Sequence, residues 1–197
     1  MAKLLYQGHG SFRLTTNDGV VMYLDPYAGE GYDIPADLVL VSHQHADHNN
    51  LDLVTKKSDC KVITNVEALE GNTHNSFSYK GISIEAVDAC NSNHPITECV
   101  GFIVTVDGVT VYFSCDTSLT EEMSSFKDRN ISYAFFCADG VYNMGLAEAA
   151  ECAKIVGAKN NIPVHLSPEK IFDRTLAEGF DAPNRLIIEA GEEIILK

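Results

Sequence analysis

Positive charge is scarce in this 197-residue chain: 14 Lys and Arg stand against 28 Asp and Glu, a formal net charge of −14. A surface of that sign repels phosphate backbones, and neither a basic run nor an aromatic–basic platform interrupts it, so nucleic acid is not an expected partner. Long apolar runs are missing as well. None approaches the ~20 residues of a membrane span, and the first nine residues, Met1 to His9, lack the apolar core of a signal peptide. The expectation is a cytoplasmic protein without a membrane partner. Cys-x-x-Cys spacing is absent: Cys60, Cys90, Cys99, Cys115, Cys137 and Cys152 lie scattered in a chain too large to need staples, and read as reduced, mostly buried thiols. No repeat, linker or low-complexity segment divides the chain. A single domain over 1–197 with a real core is expected.

Apolar residues make up an ordinary 45%, and their spacing predicts mixed α and β structure. Strands are predicted over 3–7, 11–16, 20–24, 38–42, 61–64, 77–80, 82–87, 100–106, 109–113, 133–136, 161–164, 185–189 and 193–196. Asn17-Asp18-Gly19 and Asp107-Gly108 are hairpin turn signals. Short helices are predicted from a cap at Asn49 or Asn50 to about Lys57, from Asn65 to near Gly71, and over 119–126. The best helix is 146–156, where Leu146, Ala149, Ala150, Ala153 and Ile155 or Val156 form an apolar face. Pro168 opens a further helix through about Glu178.

Four potential ligands occupy six residues in His43-Gln44-His45-Ala46-Asp47-His48, directly after the apolar run 38–42. In an extended segment alternate side chains share a face, so His43, His45 and Asp47 are predicted to enter one cleft while His48 reaches a neighbouring position. Imidazoles and carboxylates are costly to bury without partners, and a divalent cation is the partner that suits them. Zinc is the first expectation on imidazole preference, with manganese or iron next.

The pattern His43-x-His45-x-Asp47-His48 resembles the signature of the metallo-β-lactamase superfamily. The resemblance implies an α+β fold, the αββα sandwich: two mixed β-sheets packed face to face with helices on the outside and metals along one edge. It asks for three more ligands, and each occurs in family order at a strand end. His94 lies in Asn91-Ser92-Asn93-His94-Pro95. Asp116 follows Tyr112-Phe113-Ser114-Cys115, with Cys115 where the superfamily usually has Gly. His165 closes Ile162-Pro163-Val164-His165. The implied assignment is His43, His45 and His94 on one metal, Asp47, His48 and His165 on the other, and Asp116 bridging them. Asp25-Pro26, Ala138-Asp139-Gly140-Val141-Tyr142-Asn143-Met144 and Ile162-Pro163-Val164-His165 look most like the small hydrolases related to ascorbate-6-phosphate lactonase.

The expected function is therefore metal-dependent hydrolysis: a hydroxide bridging two divalent metals cleaves a small ester, lactone or phosphoester. Asp47 would ligate the second metal and orient the nucleophile or carry its proton. Net charge does not exclude a small anionic substrate, since two cations would make the cleft locally positive. The other reading is a non-catalytic metal-binding or ligand-sensing module on the same fold. A small molecule is the expected partner, and self-association is compatible with it. Asp139 and Asp25 each read either as an acceptor fixing a ligand histidine or as a turn residue. His9, in Gly8-His9-Gly10, reads either as a donor beside the cleft or as a turn residue, and His74 as solvent-exposed.

Overall fold

Several antiparallel pairs are closed by short turns with left-handed backbone. The structure is a computed structural model that describes residues 1–27 and 29–197. The first sheet is built from β1 (Lys3–Gly8), β2 (Ser11–Thr15), β3 (Val21–Leu24), β4 (Ala36–Leu40) and β5 (Lys56–Ile63), with the last strand, β14 (Glu193–Ile195), on the free side of β1. A short helix α1 (Asn65–Ala68) and the small hairpin β6 (Leu69–Glu70) with β7 (Thr73–His74) lead to the second sheet. That sheet holds β8 (Ser76–Tyr79), β9 (Ile82–Asp88), β10 (Val100–Val106), β11 (Val109–Phe113), β12 (Tyr133–Cys137) and β13 (Asn160–Val164). Helices α2 (Leu146–Val156) and α3 (Arg174–Glu178) complete the chain. The turns Lys80-Gly81 and Asp107-Gly108 each place two successive residues at positive φ, the geometry that matches the twist of a two-residue hairpin.

Both sheets are mixed, in the same succession. β1, β2 and β3 pair antiparallel and β3, β4 and β5 parallel; β9, β10 and β11 pair antiparallel and β11, β12 and β13 parallel. The inner faces meet in one core in which Phe12, Phe113 and Phe135 pack ring to ring at 4.8–5.2 Å. Outside the second sheet, Tyr112 and Phe136 are covered by Met123 and Phe126 of a 3-10 helix, by the small buried face of α2 and by Phe180 after α3. Outside the first sheet, Tyr23, Val39 and Val41 are covered more thinly, by Tyr32, Ile34, Leu51 and Val54. The arrangement is an α+β sandwich with its helical cover concentrated on the second sheet. Among the described residues no helix is long and apolar enough to cross a membrane, and all six cysteines are free thiols.

The short elements depart from expectation at their caps. Asn50 makes no capping bond, and only one 3-10 turn, Leu51–Leu53, precedes β5. Thr64, not Asn65, caps α1: its side chain and Glu67 close a capping box. Residues 119–126 give a 3-10 helix at Glu122–Asp128. Pro168 lies outside any helix; α3 starts later because Asp173 accepts from the Leu176 N–H at 3.1 Å. Residues 185–189 form no strand, only one bridge between Asn161 and Arg185.

Away from any cleft, Asp37 on β4 ties the two sheets together. Its buried carboxylate accepts from the Val21 N–H (2.9 Å), from Lys57 Nζ (2.6 Å) and from Lys80 Nζ (2.7 Å), the last reaching over from the second sheet. Burial opposes its ionisation, but the two lysines outweigh this and hold its pKa down to about 2. A carboxyl depressed on folding stabilises above its unfolded pKa of ~4 and loses that contribution as pH falls toward 2. Both lysines are about a third exposed, which screens the pair. Asp37→Asn is therefore expected to cost about 1–2 kcal/mol at pH 7 and almost nothing near pH 2. Urea unfolding of both proteins across that range checks it; a pH-independent difference would refute it.

Candidate metal centre

Strand direction brings the candidate residues to one edge. β1, β3 and β4 run the same way in the first sheet, and β9, β11, β12 and β13 in the second. Their carboxyl ends carry, in chain order, His9, Asp25, the 43–48 segment, His94 in the loop after β9, Asp116, Asp139 and His165. β4 ends at Leu40, so the histidine cluster lies in a loop and the strand-like alternation over 43–47 does not hold. A turn in which His48 N–H donates to His45 O (3.0 Å) divides the segment instead. His43 and His45 fall with His94, Asp47 and His48 fall with His165 and His9, and His43 and His48 also meet at Asp116; in each group the potential ligand atoms lie within 4.8 Å of one another.

Asp116 stands between the groups. Its Oδ1 is 3.3 Å from His48 Nε2, and its Oδ2 is 3.4 Å from His94 Nε2 and 3.6 Å from His165 Nε2. Cys115 takes positive φ (52°), the conformation that a glycine would adopt without strain, and so turns Asp116 into the cleft. His9, Asp25 and His165 share that left-handed backbone, which collects strain at this edge.

The supports behind the histidines all address Nδ1. His48 Nδ1 donates to Asp25 Oδ2 (2.9 Å). His43 Nδ1 is 2.9 Å from Ser42 Oγ, which itself donates to Asp25 Oδ2 (2.6 Å). His94 Nδ1 donates to Asn91 Oδ1 (2.9 Å), and His165 Nδ1 lies 3.2 Å from Asp139 Oδ2. The acceptors at His43, His48 and His94 Nδ1 select the tautomer whose Nε2 has a free lone pair, and the Asp139 carboxylate beside His165 Nδ1 favours the same one. The Nε2 atoms of His43, His48, His94 and His165 are buried and without hydrogen-bond partners. Such orphaned imidazole nitrogens around a buried carboxylate are the donor set that a divalent cation satisfies.

Asp25 and Asp139 also accept from the main chain. Asp25 accepts from the Ser42 N–H (2.7 Å), and Asp139 Oδ1 accepts from the Val141 and Tyr142 N–H groups (2.6 and 2.7 Å). Ser42 and Asn91 escape sequence reasoning; their only signal is proximity to a candidate histidine. His74 is half-buried on β7, with Nε2 3.6 Å from Asp88, away from this centre.

Burial and charge act in opposite directions here. Burial pushes the His43 imidazole down to about 2, with His48 adding to the shift. Burial also disfavours the charged forms of Asp116 and Asp47. The facing histidines outweigh it, His48 and His165 at Asp116, His165 and His9 at Asp47, and hold both carboxyls below the usual range.

His9 is buried, its ring 3.5 Å from that of His165 between centroids, and its Nε2 donates to Asp47 Oδ2 (3.1 Å). Gly10 permits the close approach: a Cβ there would lie 2.9 Å from His48 Cε1. His9 is placed to steady Asp47. His9→Ala is expected to retain the metal and lower turnover ~10-fold, followed by elemental analysis and steady-state kinetics. Loss of metal would make His9 a ligand instead.

The chain resembles known proteins over nearly its whole length. A family model described as a beta-lactamase superfamily domain matches residues 3–165. A UPF0173 metal-dependent hydrolase of Methanoculleus marisnigri is 30% identical, over 89% of this chain and 86% of its own. One from Thermococcus kodakarensis is 26% identical over the full length of both. Among solved structures, one from Parabacteroides distasonis superposes with TM-score 0.77 at 27% identity, covering 94% of this chain and 90% of the other. A metallo hydrolase from Ignicoccus hospitalis has TM-score 0.78 at 23% identity, over 98% and 97%, and shares the fold. With the mixed-sheet sandwich and the histidine–aspartate centre on its edge, these matches mean that the chain belongs to the metallo-β-lactamase superfamily.

Proposed function

We propose that this chain is a metal-dependent hydrolase with a dinuclear centre, its single domain spanning residues 1–197 in the cytoplasm. The observation that carries this reading is the ring of four buried, partnerless Nε2 atoms around Asp116. His43, His45 and His94 would hold one divalent ion, Asp47, His48 and His165 the other, and Asp116 would contact both; zinc suits this donor set first, with manganese or iron next. Such a pair, when bound, supplies hydroxide at neutral pH and polarises the scissile carbonyl or phosphoryl group.

The chain's own groups do the rest. Asp25, Ser42, Asn91 and Asp139 hold the imidazoles in the ligating tautomer. Asp47, whose side chain is 37% exposed, faces the cleft and can hold the nucleophile's proton and pass it on. The cleft, about 440 Å³, suits a small ester, lactone or phosphoester.

The test is chelation followed by reconstitution with zinc, manganese or iron, with ions per chain and hydrolysis of all three substrate classes measured together. Two ions per chain with restored hydrolysis is expected. Saturation at one ion removes the dinuclear assignment; two ions without hydrolysis would leave a binding or sensing module.

A further inference from the structure

Outside the candidate centre a second group of metal-suited side chains meets: His74 on β7, Asp88 at the end of β9 and Glu122 at the start of the 3-10 helix. One potential ligand atom from each lies within 4.8 Å of the other two, and all three residues are partly buried. His74 Nε2 is buried and has no hydrogen-bond partner; Asp88 Oδ1, 3.6 Å away, is too far to be one. Among the described residues no lysine or arginine pairs with Asp88 or Glu122. Arg129, whose charge reaches Glu122, is held instead by both carboxylate oxygens of Glu85. Two carboxylates that face one another beside an orphaned imidazole nitrogen repel, and a cation between them satisfies all three groups.

The backbone holds this trio in place. The Ala86 N–H donates to the Asn75 carbonyl (3.1 Å) and straps the hairpin of β6 and β7 to β9. The Asp88 N–H donates to Glu122 Oε2 (2.6 Å), which fixes one oxygen of Glu122 and leaves the other to ligate. One imidazole and two carboxylates suit a divalent ion that takes mixed nitrogen and oxygen ligands, zinc first and manganese next, and the two negative charges match its own. Ligand atoms 2.0–2.2 Å from a tetrahedral zinc stand roughly 3.3–3.6 Å apart, and His74 Nε2 and Asp88 Oδ1 already have that separation. Water would complete the coordination.

Position gives the trio a purpose. Asp88 lies six residues before His94, and Glu122 six residues after Asp116. Between them the Cys90 N–H donates to Thr117 Oγ1 (2.9 Å), and the Ser118 N–H donates to the Cys90 carbonyl (2.9 Å). The two segments therefore run side by side from the trio to the candidate centre. We propose that His74, Asp88 and Glu122 form a separate site for one divalent ion of the zinc type, which clamps the roots of the loops that carry His94 and Asp116. The site does not rest on the hydrolase reading, and it uses the one histidine that the candidate centre leaves over.

The experiment treats wild type, His74→Ala and Glu122→Gln with chelator and then counts zinc ions per chain by equilibrium dialysis. Each variant is expected to bind one ion fewer than wild type, or to hold its last ion at least ~100-fold more weakly. Glu122→Gln keeps an acceptor for the Asp88 N–H and is expected to melt like wild type without metal, so it decides the matter if His74→Ala fails to fold. With zinc present, amide hydrogen exchange over 89–93 and 117–121 is expected to be at least ~10-fold faster in Glu122→Gln than in wild type, and equal without zinc. Equal ion counts and affinities in wild type and Glu122→Gln overturn the site. One ion fewer with unchanged exchange supports the site and overturns the clamp. The readout is a difference between proteins, so a candidate centre that binds one ion rather than two leaves the expected loss of one unchanged.

Discussion

Asp116→Ala is expected to release at least one metal ion and to lower kcat/KM by a factor on the order of 1,000 or more. The carboxylate is buried, and its two oxygens face His48, His94 and His165 within 3.3–3.6 Å. Among the described residues no other carboxylate meets histidines of both groups in this way, so under the dinuclear reading alanine would leave two divalent ions with no shared counter-charge. The effect is electrostatic first and geometric second. Asp116→Asn keeps the size and removes the charge, and it is expected to behave nearly as badly. Elemental analysis and steady-state kinetics on the same preparation decide it. If Asp116→Ala kept two ions and near-native turnover, Asp116 would be a turn residue after Cys115 and the dinuclear assignment would fall.

The second large effect is expected at Asp25, which does not itself line the cleft. Its buried carboxylate satisfies three buried donors: the Ser42 N–H, the Ser42 hydroxyl and His48 Nδ1. Asp25→Ala leaves all three without an acceptor, at a cost of about 3–5 kcal/mol in unfolding free energy. It also frees the His48 ring and, through Ser42, that of His43, so metal affinity is expected to fall 10–100-fold. Asp25→Asn separates the two consequences. The amide restores part of the packing and one acceptor, but an NH2 group facing His48 Nδ1 favours the tautomer with the proton on Nε2, which cannot ligate. Stability is expected to recover in part while metal affinity stays low. Urea unfolding of the chelated protein and metal titration of both variants test this. Unchanged metal affinity in both would reduce Asp25 to a structural acceptor.

Legibility in the sequence followed the range of the interaction involved. Helix α2 was readable because an apolar face at helical spacing is a local signal, and the structure closes it at Gly157 (φ 67°). The β10–β11 hairpin was readable because Asp107-Gly108 is a turn that few other residues make easily. The short helices were not, because candidate caps such as Asn49, Asn65 and Pro168 are common, and a helix of one or two turns depends on what it packs against. At the candidate centre, four ligating side chains in six residues stand out because no ordinary core explains them. The direction of each side chain was not readable: alternation assumed that β4 continues through the cluster, whereas the chain leaves the sheet at Leu40 and turns at His48.

The sequence by itself determined that polar, metal-suited residues occupy the ends of apolar strands, since hydrophobic period and unusual local composition are properties of contiguous residues. It also determined, through resemblance, which superfamily to expect. Only the tertiary structure decided that seven strands from two sheets point their carboxyl ends at one edge. It also decided that Asp25, Ser42, Asn91 and Asp139 stand behind the histidines and that Asp116 lies between the two groups. Those relations join residues up to 156 positions apart, such as His9 and His165. Parallel and antiparallel pairing and the packing of one sheet on the other create them, and no local pattern carries that information.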